Sequence, residues 1–149
     1  MPGKGARFPL SDGFFNVYSV ADPATNADII WTPPANLIVQ PLCVAWILLA
    51  ANLGSARAVT IHVEWPAGFG NRIFADIYPV AQPINTTQFY NAKSSGKTLN
   101  VNYSFDTLDM LDTCRLTDAD RIVVGFTNKQ AADRLSQFRV SVLEWRNTP

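Results

Sequence analysis

Strict alternation of apolar and polar residues marks several stretches of the chain. In VTIHVEW (59–65) every second residue is apolar, and TLNVNYSF (98–105) and FRVSV (138–142) repeat the pattern. Successive side chains of a β-strand point to opposite faces, so a period of two predicts a strand. Each stretch is therefore predicted to be a strand with one face in the core and one in water.

Two other stretches are apolar at nearly every position. They are LCVAWILLAA (42–51) and RIVVGF (121–126). A strand that is apolar on both faces is typical of the middle of a covered sheet. The first stretch is predicted either to lie centrally in its sheet or to place one face against another subunit.

Turn signals separate these stretches, among them DPATNAD, TPPAN, NLGSAR and PAGFGN. The pattern predicts an all-β protein, a jelly-roll-like antiparallel β-sandwich of about eight strands, with an immunoglobulin-like sandwich as the alternative. One or two short helical turns are also predicted, in TLDMLDT (107–113) and NKQAADRL (128–135), although the second could equally be an ordered loop. The predicted strands cover residues 14–20, 29–31 with 37–40, 42–51, 58–65, 73–78, 86–91, 98–105, 121–127 and 137–145.

Length and composition favour one sandwich domain over residues 14–149, preceded by an extended arm over residues 1–13. The chain has 149 residues, and 48% of them are apolar, so it can bury a substantial core. The arm contains Lys4 and Arg7 among glycines and prolines. The 12 basic and 12 acidic side chains balance, so no net field attracts nucleic acid or an anionic membrane.

Neither the cysteines nor the apolar runs predict a disulfide framework or a membrane span. Cys43 and Cys114 are the two cysteines, and their scarcity suits a reducing site of synthesis. The uninterrupted part of the apolar run 37–53 covers residues 42–51, about half of the roughly 20 residues that a spanning helix needs. The residues 1–13 contain no apolar segment typical of a signal peptide.

The single histidine, His62, lies two residues before Glu64 on the predicted polar face of a strand. A metal site would need further ligands from distant strands, and no nucleophile motif such as G-x-S-x-G accompanies the pair. We therefore interpret both residues as parts of a solvated or interface face. No catalytic, metal or cofactor site is predicted.

Two further groups of residues have alternative functional interpretations. The acidic series Asp106, Asp109, Asp112, Asp118 and Asp120 offers oxygen ligands for calcium, but its spacing is not that of an EF-hand, and capping of turns explains it as well. Flat rings near turns could form a sugar-binding platform, but a place in the core or in a subunit interface is the favoured interpretation of these rings. The aromatic candidates are Trp31, Phe69, Phe89 and Tyr90, whereas Trp46 and Trp65 are predicted to be core.

The longest recognisable pattern is LTDADRIVVGFTNKQAADRLSQFRVSVLEWR (116–146), an acidic turn leading into an apolar strand, a polar loop and a final alternating strand. It resembles the closing strands of jelly-roll virion proteins of tailed phages, such as capsid decoration (cement) proteins and domains of tail fibres. IIWTPPANLIVQPLCVAWILLAA (29–51) followed by VTIHVEW is similar to their early strands. Where such loops often carry an arginine, this chain has Thr127-Asn128-Lys129, which puts an inherited contact of that loop in doubt.

The resemblance implies a non-catalytic subunit that binds the major capsid protein, stabilises the phage head shell and assembles as a homotrimer. It also implies synthesis in the host cytoplasm and a final location on the capsid surface, with no nucleic acid or membrane as partner. Predicted capsid contacts lie in the arm, at Lys4, Arg7 and Phe8. The predicted subunit interface contains Trp46, Leu48, Phe69 and Phe74.

Two other classes remain as alternatives. The aromatic and acidic residues favour a carbohydrate-binding module or the receptor-binding domain of a tail fibre. An enzyme that uses His62 with Glu64 is the third possibility. Binding of glycans would support the carbohydrate-binding alternative. A change in the properties of the protein when His62 is replaced would support the enzyme.

Overall fold

The computed structural model describes residues 13–64, 72–77, 80–93, 104–105 and 115–146. Within those residues the chain forms β-strands and turns, and it contains no helix, so none that is long and apolar enough to span a membrane. The strands are β1 (Phe14–Ser19), β2 (Ile29–Trp31), β3 (Leu37–Ala50), β4 (Val59–Glu64), β5 (Arg72–Ile77), β6 (Thr86–Lys93), β7 (Ser104–Phe105), β8 (Arg121–Phe126) and β9 (Arg134–Arg146).

The strands form two sheets that pack face to face. The first sheet has the order β1-β9-β3-β6-β7 and the second has the order β2-β8-β4-β5. All pairs are antiparallel except the short β6–β7 pair at one edge. The pairs β1–β9, β2–β8, β3–β6 and β4–β5 are nested along the chain, as in a long hairpin that has wrapped around itself. This arrangement is a jelly roll, and it replaces the immunoglobulin-like alternative.

The core lies between the two sheets and explains the alternation seen in the sequence. In β4 the side chains of Val59, Ile61 and Val63 are completely buried, as are Val140 and Val142 of β9. The second sheet also contributes β8, where five of six residues are buried. Burial of apolar side chains from both inner faces is the main favourable contribution to this fold.

The apolar stretch 42–51 belongs to β3, which lies between β9 and β6 in the first sheet. The alternative of a central strand is therefore correct. β3 also continues through Pro41, where the sequence had suggested a break between two strands. Proline is tolerated there because the β6 pairing begins only at Cys43, so the missing N–H leaves no gap on that side.

Two β-bulges shift the pairing register between β3 and β9 in the first sheet. Between Ala45 and Ile47 of β3 the partner strand β9 contains one extra residue, and between Pro41 and Cys43 the extra residue lies in β3 itself. An extra residue reverses which side chains face the core. For this reason Phe138 and Leu135, which are three positions apart, are both buried.

The structure tests only one of the two segments that were expected to form helical turns. The segment 128–135 is a turn that leads into β9 at Arg134, so the expectation of an ordered loop is correct and that of a helical turn is wrong. The segment 107–113 lies outside the described residues, as does the predicted arm apart from Gly13. Predicted strand 98–105 is described only at Ser104–Phe105.

One end of the sandwich is organised by a buried ion pair between Arg57 and Asp133, both of which have no exposed surface. The carboxylate of Asp133 accepts hydrogen bonds from Nε of Arg57 at 2.8 Å and from Nη2 at 2.9 Å. It also accepts bonds from the backbone N–H groups of Ala51 and Gln130, each at 2.8 Å. Bidentate geometry and extra backbone donors are what a buried ion pair needs to offset its desolvation.

The same pair connects four loops, which we call the loop hub (residues 20–28, 51–58, 80–85 and 127–133). Arg57 donates to the backbone carbonyls of Ser55 and, at 2.9 Å, Leu53. Its backbone N–H and C=O pair with those of Gln82 at 2.9 and 2.8 Å. Asn26 donates its backbone N–H to the carbonyl of Asp133 at 2.8 Å. Each of these four described segments thus contains one member of the pair or is bonded directly to one.

We expect Arg57→Met to lower the free energy of unfolding by about 3–5 kcal/mol, because it leaves the Asp133 carboxylate buried without its partner. Urea unfolding followed by circular dichroism measures the change. Arg139→Met is the matched control at an exposed position without an ion pair among the described residues, and it should change stability by less than about 0.5 kcal/mol. Equal losses in the two variants would contradict a special role for Arg57.

The pH dependence of stability tests the same pair from the acidic side. Burial raises the pKa of Asp133, but the hydrogen bonds from Arg57, Ala51 and Gln130 lower it more, so the net pKa lies below its ordinary value. A lowered folded-state pKa contributes stability above the unfolded value of about 3.9, and that contribution is lost as pH falls through the folded value.

The stability difference between the native protein and Asp133→Asn should therefore shrink as pH falls below about 4. Urea unfolding at several pH values measures it. Comparison with the variant cancels the titration of other carboxylates. A difference that stays constant from pH 6 to the acid limit would contradict the assignment.

Candidate functional site

His62 and Glu64 form a small polar network on the outer face of the second sheet. Nε2 of His62 lies 2.7 Å from Oε2 of Glu64, whose other oxygen accepts from Arg121. The hydrogen bond with His62 lowers the pKa of Glu64, burial opposes this, and Arg121 lowers the pKa further. His62 is only 7% exposed, so its imidazole is not solvated, and the alternative that this face is an interface stays a prediction.

The acidic series serves a turn where the structure describes it. Asp120 is buried, and its Oδ2 accepts a hydrogen bond from the backbone N–H of Thr117 at 2.8 Å. Asp118 is exposed. Asp106, Asp109 and Asp112 lie outside the described residues. Within the described part of the chain, no group of three or more metal-ligating side chains is positioned to hold an ion.

Two of the four aromatic candidates for a sugar platform are core residues. Trp31 is 4% exposed and Tyr90 is fully buried, where its ring stacks on Trp46 with 5.6 Å between centroids. For these two residues the core interpretation is correct and the platform alternative is wrong, because both side chains belong to the core between the sheets. Phe89 is 48% exposed on the outer face of the first sheet. Phe69 lies outside the described residues.

The predicted subunit interface also changes. Trp46 and Leu48 are completely buried in the core of their own chain, so neither presents surface to another subunit, and the interface prediction does not hold for them. The apolar character of this strand reflects its central position in the sandwich. Phe69 and the side chain of Phe74 lie outside the described residues, as do the arm residues Lys4, Arg7 and Phe8.

A different apolar surface lies on β1, which is an edge strand of the first sheet. Phe14, Phe15 and Val17 are 74%, 64% and 47% exposed, and we call these three residues the β1 patch. Phe15 and Val17 face outward, whereas Phe14 lies on the face of Tyr18, which packs on the core, so the patch covers both sides of this strand edge. An edge strand with large exposed apolar side chains is a surface that commonly pairs with another protein chain.

An open cleft of about 520 Å³ lies on the outer face of the first sheet, at the end near the loop hub. Its apolar lining residues are Ile47 and Leu49 of β3, Pro23 and Leu135, and Phe89 lies beside Ile47 on β6. Polar groups surround them on three sides. The polar lining consists of Asp22 and Thr25 from the segment after β1, Thr87 of β6, and Arg134, Ser136 and Gln137 of β9.

The β9 bulge gives this cleft its shape. Gln137 has a φ of 52°, in the left-handed region that most side chains avoid, and its backbone N–H donates to Oδ1 of Asp22 at 2.9 Å. The bulge turns Arg134 and Ser136 outward, whereas an uninterrupted alternation from Phe138 would have turned them into the core. Asp22 thus fixes the loop wall of the cleft to the strand that supplies its cation.

The cleft residues were not predicted as a site. One signal in the sequence could have indicated the bulge: in LSQF (135–138) two large apolar residues are three positions apart inside an otherwise alternating strand. The position of the segment 22–25 depends on the wrapped topology, which no local pattern contains.

Comparison with known proteins adds no identity. No family model, no curated protein and no solved structure matches this chain. The fold and the two outer surfaces are therefore the basis for any functional assignment.

Replacement of Gln137 tests whether the left-handed backbone conformation of the bulge is present in solution. We expect Gln137→Gly to be neutral or mildly stabilising, because glycine adopts a positive φ without a steric cost. Gln137→Val should cost about 1–2 kcal/mol, because a β-branched residue strains in that region. Thermal and urea unfolding measure both variants. Equal stability of the two would show that the left-handed conformation at this position is not maintained in solution.

Proposed function

We propose that this chain is a structural virion protein, a capsid decoration subunit that binds and stabilises a phage head shell as a homotrimer. The observation that carries the proposal is the β1 patch on the edge of a jelly roll. Jelly rolls occur in viral capsid and lectin domains, so the fold agrees with the resemblance noted in the sequence but does not by itself define a function. The proposed site of action is the capsid surface, after synthesis in the host cytoplasm.

The β1 patch supports self-association for two physical reasons. β1 pairs only with β9 among the described strands, so its other edge has backbone groups available for hydrogen bonds. The exposed phenylalanine rings of Phe14 and Phe15 would be removed from water in a subunit contact, which is favourable by about 25 cal/mol per Å² of apolar surface. We assign the trimer contact to this patch in place of Trp46 and Leu48.

The arm keeps its proposed role as the capsid contact, through Lys4, Arg7 and Phe8. It precedes β1 directly, so a trimer built on the β1 patch would hold three arms near one another. Three weak contacts on one shell raise the effective concentration of each arm. The major capsid protein is the proposed partner.

The proposed trimer can be tested by light scattering after size exclusion. The full-length protein should have a mass near three times 16.4 kDa, and a chain that starts at Ser11 should remain trimeric because the patch is intact. Phe15→Asp should produce monomers, because it places a charge in the contact. Ile30→Asp is the matched control, since Ile30 is 50% exposed on the second sheet, and it should remain trimeric.

Co-sedimentation with phage head shells that lack their decoration protein tests the second half of the proposal. The trimer should sediment with the shells, and the chain that starts at Ser11 should not. A native protein that is monomeric at micromolar concentration and stays in the supernatant would exclude the virion role.

The second candidate is a carbohydrate-binding module or the receptor-binding domain of a tail fibre. The cleft beside Phe89 favours it, because it combines apolar side chains with hydroxyl, amide and guanidinium groups in one concave surface. A glycan array, probed with and without calcium, tests this candidate. The absence of binding under both conditions would exclude it.

A further inference from the structure

The cleft defined by Asp22, Leu49, Thr87, Arg134 and Gln137 contains a cation without a counter-ion. Arg134 is exposed and makes no ion pair with any described residue. Asp22 is the one carboxylate that lines the cleft, and its Oδ1 already accepts from the backbone N–H of Gln137. The charges around the cleft therefore favour an anionic ligand.

The guanidinium group of Arg134 limits the classes of anion that the cleft would bind well. A guanidinium presents parallel N–H donors that match the two oxygens of a carboxylate. A simple ion would contact only the guanidinium and would leave most of the cleft unfilled. The volume of about 520 Å³ is within the range of small-molecule sites and exceeds what a simple anion occupies.

The remaining lining fits a ring that is apolar on its faces and polar on its rim. Ile47 and Leu49 form an apolar area, and the exposed ring of Phe89 continues it on β6. The hydroxyls of Thr25, Thr87 and Ser136 stand around this area as donors and acceptors. A pyranose has C–H groups on its faces and hydroxyls on its rim. A fatty acid chain has no hydroxyls that could pair with these three side chains.

We propose that this cleft binds one carboxylate-bearing sugar unit, with Arg134 on the carboxylate and the hydroxyl-bearing side chains on the ring hydroxyls. The proposal rests on and deepens the second candidate function, and it is independent of the shell-binding role. The cleft lies near the loop hub, whereas the β1 patch lies on the strand edge beyond β9, so a trimer contact at the patch leaves the cleft open.

The test is a titration of the full-length, isotopically labelled protein with glucuronate, followed by amide chemical shifts. Glucose is the neutral comparison, acetate is the anion without a ring, and a short peptide ending in glutamate is the protein-like comparison. We expect glucuronate to shift the amides of Thr25, Thr87, Ser136 and Gln137, and to bind at least about tenfold more tightly than the other three probes.

Arg134→Gln should reduce the glucuronate affinity by about tenfold or more and should leave glucose binding unchanged. Arg139→Gln, on the same strand face outside the cleft, is the matched control and should retain the native affinity. Both variants should keep the native amide spectrum outside the cleft, which separates a lost contact from a lost fold.

Each other outcome overturns a defined part of the proposal. Equal binding of glucose and glucuronate in the cleft would overturn the acidic preference but retain carbohydrate binding. Equal binding of acetate would leave a bare anion site, and tighter binding of the peptide would indicate a protein partner. If no probe shifts the cleft amides while the glycan array is positive, the sugar site lies elsewhere; if both are negative, the cleft proposal and the second candidate function fail together.

Discussion

The structure depends on a constraint at one end of the jelly roll, where an arginine and an aspartate are buried without access to water. A buried charge is tolerable only when its partner and its hydrogen bonds are complete. Arg57 and Asp133 meet this condition by using the backbone groups of the loops around them. The loops therefore cannot rearrange independently, because each rearrangement would leave a buried charge with unsatisfied bonds.

This constraint extends to the cleft. Asp133 is followed directly by Arg134, and its carbonyl accepts from Asn26, the residue after Thr25. Ala51, which donates to the Asp133 carboxylate, follows β3 two residues after Leu49. The segments that form the walls of the cleft are thus the segments that the ion pair holds. A rigid scaffold with its binding groups at loop ends is a common arrangement for recognition.

Local periodicity predicted much of the fold. The alternation of β4 and β9, the central position of the 42–51 stretch and the β-sandwich class follow from the spacing of apolar residues, and the structure confirms them. The bulges were not predicted, because one inserted residue changes the facing of a strand without changing its composition. Pro41 similarly suggested a strand end, although only the absence of a β6 partner at that point decides the outcome.

The candidate site was less predictable because it depends on contacts between distant segments. Arg57 lies in a loop sequence that looks solvent-exposed, and its burial is visible only when Asp133, 76 residues away, is placed beside it. Trp46 looked available for a subunit contact because apolar character alone does not distinguish a core from an interface. His62 looked exposed because alternation predicts the face of a side chain but not what covers it.

Native-state hydrogen exchange tests the central claim, that the Arg57–Asp133 pair makes four loops open as one unit. The relevant amides come from all four loops: those of Asn26, Ala51, Gln82 and Gln130 donate to Arg57 or Asp133, and that of Arg57 donates to the carbonyl of Gln82. We expect one common free energy of opening for the five amides, lowered together in Arg57→Met. Separate opening free energies for each loop, with only the nearest amides affected by the substitution, would contradict it.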